Sequence, residues 1–470
     1  MPWKDEFDQI TYDLADEKKA VLTYTDSDTK TRSFVKTFIL FDENLNEIKR
    51  TDIKYDKSYE RNYTHKVNNT LFLLLYDKNN GRLILKDINL LTLDCKSSEY
   101  EMRYGRTIEY FYLFKSKLTV ISNGGKSTFL NTFDLISNES KEVDIQKQNK
   151  LALIYDGIDL TEYNLEKELV VKFKYKGKES LEYAYYIVDN TGSLKDNLVT
   201  IKYPISDKSV VSYKVNKVNN DEYLIMGLYT LKRYANGVFV ARMKEGKVSY
   251  ITYTNFVDIK NFADNLNYSN AKSYTKQVKK KADDNEGPTL NMLASIHDIK
   301  VVNGEYVMLM EFYYPTYRTE YRMVSTPSGG TTTQPYTVFD GYQYNSASII
   351  GYDDKCNMMW SNSFSMYLFY KPYIPRTHIK MSNDGATVNL SYVNWSIVVR
   401  MYLKNGEFIK EREVNKDVFG KDSDDIVKRS KLLGVTWWYD NNILVMQTKK
   451  YREDEKSSKE WTFGLYKLEY

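Results

Sequence analysis

Residues 297–313 read HDIKVVNGEYVMLMEFY. A mixed stretch runs into Asn303-Gly304, and a second, more apolar stretch follows at once. Asn-Gly between two strand-like runs is a strong hairpin signal, because a tight hairpin turn needs positive φ at its central residues. The same phrase returns along the chain. It reads THKVNNTLFLLLY at 64–76, YKVNKVNNDEYLIMGLY at 213–229, HIKMSNDGATVNLSY at 378–392 and VTWWYDNNILVMQTK at 435–449. Recurrence at this spacing marks a repeat architecture. A repeating hairpin points to an all-β fold, the β-propeller.

A second phrase follows each hairpin. It reads FILFDENLNEIKR at 38–50, YYIVDNTGSLKD at 185–196, IIGYDDKCNMMWS at 349–361 and VRMYLKNGEFIKE at 399–411. Asn, Asp and Gly sit in these turns because they tolerate positive φ. Each repeat therefore reads as four strands, A to D from the inside outward. Second strands are expected near Ala20, Leu71, Leu118, Leu169, Tyr223, Tyr306, Thr387 and Ile443, which gives eight blades in one domain over 1–470. Seven blades result if one hairpin is misread. The third repeat is the least regular, with YFYLF at 110–114 as its first strand. The last repeat stops at a third strand, WTFGLYKLEY at 461–470. Residues 1–8 are expected to supply its fourth, with Trp3 and Phe7 packed on that blade.

Composition sets limits. The chain has 470 residues, 42% hydrophobic and 15% aromatic, enough for a large core rather than a disordered chain. Its 43 tyrosines suit half-buried sheet surfaces and binding faces. Lys plus Arg is 67 against 63 for Asp plus Glu, a net +4. That balance lacks the basic stripe of a nucleic-acid binder. Two cysteines, Cys95 and Cys356, are too few for a disulfide framework. No apolar run is long enough for a membrane-spanning helix. MPWKDEFDQI has no apolar core of a signal peptide; the reading keeps both a cytoplasmic chain and a mature one whose leader was removed.

Two segments break the rhythm. At 255–288 a helical insertion is expected between blades 5 and 6. Phe256, Ile259, Phe262 and Leu266 share one helical face, Ser269 or Asn270 could cap a following helix, and Gly287-Pro288 would stop it. At 313–345 a long loop is expected between the second and third strands of blade 6. Propeller geometry puts both segments on one face, which becomes the expected partner-binding face.

Most motifs have a structural reading that outweighs a chemical one. GGKS at 124–127 lacks the upstream Gly and the following helix of a phosphate loop, so it reads as a hairpin turn. His65, His297 and His378 fall on first strands of blades 2, 6 and 7, too spread for one ion. SNDG at 382–385 reads as a turn, since the Asp-box it resembles sits between third and fourth strands and recurs. DENLN at 42–46 lacks the Gly and distal Glu of a calcium loop. KQVKKK at 276–281, with Lys272, reads as a solvated helix face partly neutralised by ADDNE. No cofactor or metal is expected.

The blade 6 segment is the functional candidate. It gathers Tyr313, Tyr314, Tyr317, Tyr321, Tyr342 and Tyr344 with Arg318 and Arg322, the residue types enriched at binding hot spots. The competing reading is a hairpin extension that packs its aromatics on the rim. YYPTYRTEY and FDGYQY, following VNGEYVMLMEF, resemble sequences in uncharacterised envelope or secreted β-propeller proteins of Bacteroidota over residues 290–365. That resemblance implies an extracytoplasmic location and no particular activity. The expected function is a non-catalytic binding or scaffolding module for a protein or glycan partner. The alternatives are a glycan-active hydrolase or lyase at the channel mouth, which needs carboxylates about 5–10 Å apart, and a structural envelope component.

Overall fold

A computed structural model describes residues 10–468 apart from 147–152, 177–180, 202–207, 267–271, 273–275, 277–291, 326–329, 384–386, 416–426, 458–461 and gaps of one to three residues elsewhere. Those residues are all-β and propeller-like. They form eight antiparallel sheets, covering 10–56, 61–101, 107–144, 154–201, 209–255, 293–365, 380–415 and 427–468. The strands of the first seven sheets pair in chain order, as an up-and-down meander. In the sixth sheet the first strand is broken into Leu293–Ile296 and Lys300–Val302, both paired with Glu305–Ser325. In the eighth, Thr462–Leu468 pairs with Ile443–Glu453.

Second strands begin at Lys19, Thr70, Lys117, Glu166, Glu222, Glu305, Val388 and Ile443, each within three residues of the position read from sequence. The reason is burial. Thr70–Asp77 is buried along nearly its whole length, whereas the fourth strand of the same sheet, Cys95–Glu101, is exposed except at Tyr100. A central strand covered on both faces must be a continuous apolar run, and an outer strand need not be. Asn303-Gly304 takes φ of 51° and 79°, and Asn405-Gly406 takes 50° and 77°. Three of the connections between third and fourth strands use one device. Asp42, Asp189 and Asp353 each accept the amides two and four residues on with Oδ1, and Leu45, Gly192 and Cys356 take positive φ at the fourth position. DENLN is thus a turn closed by its own aspartate. GGKS is also a turn, between Lys117–Gly124 and Ser127–Asp134.

The chain divides into two compact units. The first comprises residues 1–202, 436–445 and 465–470; the second comprises 203–435 and 446–464. In each, the core lies between successive sheets. Leu73, Leu75 and Phe38 join the first sheet to the second, and Ile121, Val171 and Phe173 join the third to the fourth. In the second unit, Met226, Met310 and Ile350 join the fifth to the sixth, and Leu309, Ile349 and Leu390 join the sixth to the seventh.

The insertion differs from expectation. Residues 256–266 hold two short 3-10 turns, Phe256–Asp258 and Ala263–Asn265, not an α-helix. Phe256, Ile259, Phe262 and Leu266 are nonetheless buried together, with Phe256 stacked on Phe262. The segment lies along the outer strand of the sixth sheet: Lys260 N donates to Ser361 Oγ at 3.1 Å and Asn261 Nδ2 to Asn362 Oδ1 at 3.0 Å. Of the expected basic helix only Lys272 and Lys276 are described, both exposed. Residues 1–8, with Trp3 and Phe7, lie outside the described residues, as do Asp384 and Gly385 of SNDG, whose Ser382 and Asn383 end the strand Lys380–Asn383.

Candidate functional site: the hairpin arm of the sixth sheet

The expected loop at 313–345 is a β-hairpin. Glu305–Ser325 and Thr331–Tyr352 pair from Tyr306↔Tyr352 to Ser325↔Thr331. Their sheet neighbours reach only part of that length. The first strand pairs as far as Tyr313, and the fourth pairs only from Ser346. Beyond them the hairpin continues as a two-stranded arm.

Packing at the root is aromatic. Tyr313 and Tyr344 stack at 4.9 Å, Tyr342 meets Tyr313 edge-on at 5.3 Å, Phe339 meets Tyr342 at 5.0 Å, and Tyr317 meets Phe339 at 5.9 Å. Tyr344 also contacts His378 at 4.6 Å. Its Oη donates to Arg376 O at 2.7 Å and accepts from Arg376 N at 2.9 Å. Burial pushes the Tyr313 and Tyr344 phenols above their usual range. Gly341, at φ 92°, passes so close to Lys371 that a Cβ there would sit 2.5 Å from the Lys371 carbonyl oxygen.

Along the arm the two faces differ. Alternation puts Arg318, Glu320 and Arg322 on one face with Gln334, Tyr336 and Val338. This face satisfies itself. Arg318 reaches Glu320 at 2.6 Å and Asp340 at 3.3 Å, Tyr336 Oη donates to Glu320 at 2.8 Å, and Arg322 donates to Gln334 at 3.1 Å. The Tyr336 bond and then Arg318 hold the Glu320 carboxyl below its usual range. The other face carries Tyr317, Thr319, Tyr321 and Met323 opposite Phe339, Thr337, Pro335 and Thr333. Tyr317, Tyr321 and Met323 are 63, 69 and 82% exposed.

The eight expected site residues therefore separate. Tyr313 and Tyr344 are core, Tyr314 and Tyr342 are half-buried, Arg318 and Arg322 lie on the polar face, and Tyr317 and Tyr321 stand in solvent. The packing reading holds at the root, where Tyr313, Tyr342 and Tyr344 meet, and the outer tyrosines Tyr317 and Tyr321 are exposed.

Glu311, missed in sequence, organises the base. It is fully buried. Its Oε1 lies 2.7 Å from His297 Nε2 and accepts His378 N and Ile379 N, both at 2.8 Å; Oε2 accepts His378 N at 3.0 Å. His297 and His378, read as separate first-strand residues, lie just outside the strands and meet at one carboxylate, His297 through its ring and His378 through its backbone amide. Burial lowers the His378 pKa to about 4. His65 lies in the other unit, its ring 4.5 Å from that of Tyr112. Among the described residues no group of three or more His, Cys, Asp or Glu is placed to hold a metal ion. Both cysteines are free thiols, Cys356 buried and Cys95 exposed. No helix among the described residues is long and apolar enough to cross a membrane.

No family model and no curated protein matches the chain. Several solved structures are distantly similar. The β-propeller domain of the Trilobed protease from Pyrococcus furiosus is 10% identical, with a TM-score of 0.39, over 88% of this chain and 99% of that one. The polysaccharide lyase Uly1 is 9% identical, with a TM-score of 0.41, over 86% and 89%. The Dos1 propeller is 8% identical, with a TM-score of 0.38, over 93% and 90%. Nothing about activity carries over at such values.

Proposed function

We propose that this chain is a propeller-type binding or scaffolding module that captures a protein or glycan partner through the arm of the sixth sheet. The observation that supports it is the arm itself. Tyr317 and Tyr321 stand in solvent on one face of a hairpin that outruns its neighbours. Exposed aromatics on a rigid element supply contact area at little entropic cost. The polar face, closed on itself, stiffens the ribbon before any partner arrives, which lowers the ordering cost of binding. An extracytoplasmic location belongs to the same reading and rests on the resemblance over 290–365.

The test replaces residues 318–338 by a two-residue Asn-Gly turn between Tyr317 and Phe339. Parent and shortened protein are then used to capture ligands from an extract of the native organism. Loss of the parent's ligand with the arm is the expected result. Equal capture by both would overturn the site assignment.

A further inference from the structure

We infer that the ligand of the arm's aromatic face is a linear, uncharged polysaccharide; this rests on the arm being the binding element. Two observations select it. The first is charge. Arg318, Glu320 and Arg322 all point to the other face, where they pair with one another, with Asp340 or with Gln334. Between Tyr317 and Met323, and between Thr333 and Phe339, the exposed face holds rings, threonines, Met323 and Pro335, and no charged side chain. A polyanion or a charged peptide would find no counter-charge there.

The second is size. Seven paired residues of a two-stranded ribbon make a face about 24 Å long and 10 Å wide, about 240 Å². A stable protein interface needs about 800 Å² from each partner. The face is too small for a second copy of this chain or a globular partner, but its shape suits an extended chain. Strand addition is also opposed. Pro315 and Pro335 sit one on each strand of the arm, and proline removes the amide an incoming strand would need. Tyr317 and Tyr321 lie on the same side about 13 Å apart. Each ring can stack on the C–H face of a sugar, and the hydroxyls of Thr319, Thr337 and Thr333 stand beside the rings to meet sugar hydroxyls.

The test is affinity electrophoresis through native gels containing hydroxyethylcellulose, xyloglucan, glucomannan, dextran or soluble starch, with alginate as the charged counterpart. Four proteins are run: parent, Tyr317→Ala/Tyr321→Ala, the arm-shortened variant, and Tyr104→Ala. Tyr104 is 76% exposed and lies in the other unit. We expect retardation of the parent and of Tyr104→Ala by at least one neutral polysaccharide, with affinity weakened about tenfold or more in the double variant. Retardation by alginate alone, or by no polysaccharide while arm-dependent capture of a protein persists, would overturn the assignment of an uncharged polysaccharide and leave the arm reading standing. Retardation equal in parent and arm-shortened protein would overturn both. The substituted side chains are exposed, so matching melting curves for parent and double variant exclude a folding effect.

Discussion

At Glu311 a carboxylate sits inside an apolar strand and stays there because four hydrogen-bond contacts meet it. Replacing it by Ala leaves His378 N and Ile379 N buried without an acceptor. Loss of one member of a buried charged network costs about 3–5 kcal/mol. Urea unfolding of Glu311→Ala should show a loss of that order; a loss under about 1 kcal/mol would mean that the site relaxes or floods. His378 adds a pH dependence. Its folded pKa, about 4, lies below the ordinary 6.5. Above pH 6.5 it is neutral folded and unfolded. Between 6.5 and 4 the unfolded chain takes up a proton that the folded one resists, so stability falls as pH falls, by up to about 3 kcal/mol. His378→Asn should flatten that limb relative to the parent, and identical limbs would contradict it. A signal for this cluster was present in VMLMEFYY: a lone Glu in an apolar strand must be buried with partners or break the strand.

The hairpin arm shows how far pattern reading reaches at the scale of elements. Its outer half, rich in Thr, Pro, Ser and Gly, reads as loop because nothing apolar alternates there. A ribbon with solvent on both faces needs no such alternation. The insertion at 256–266 misled in a different way. Phe256, Ile259 and Phe262 recur every three residues, which fits a 3-10 turn as well as an α-helix. Their shared burial was legible; the helix type was not. The turns and second strands were the most legible elements, since positive φ and two-sided burial each admit few residue types. The arm and its root should also separate energetically. Tyr344 is buried among Tyr313, His378 and the Arg376 backbone. Tyr344→Ala should cost about 3–5 kcal/mol, as large-to-small changes of buried aromatics do. The arm-shortened variant should melt within a few degrees of the parent, since none of the described residues it removes is buried. A large drop on shortening would make the arm part of the core.

Over the whole molecule, the first compact unit gathers both ends of the described chain. Trp438 Nε1 donates to Lys19 O at 2.7 Å, and Ala20, Trp438 and Leu444 pack together with Leu45 and Leu465 against them. Such long-range contact could not be read from local phrases, and the expected closure by residues 1–8 falls outside the described part. Trp438→Ala should raise amide hydrogen exchange across Lys19–Asp28; unchanged protection there would show that the strand holds without the C-terminal hairpin. Function turns on a smaller matter, which face of the arm meets the ligand. Benzoylphenylalanine can replace Tyr321 on the aromatic face or Tyr336 on the polar face, and photolysis with the retarding polysaccharide or the captured partner then records contact directly. Covalent attachment at position 321 and none at position 336 is the result predicted here. Equal attachment at both positions, or none at 321, would contradict it.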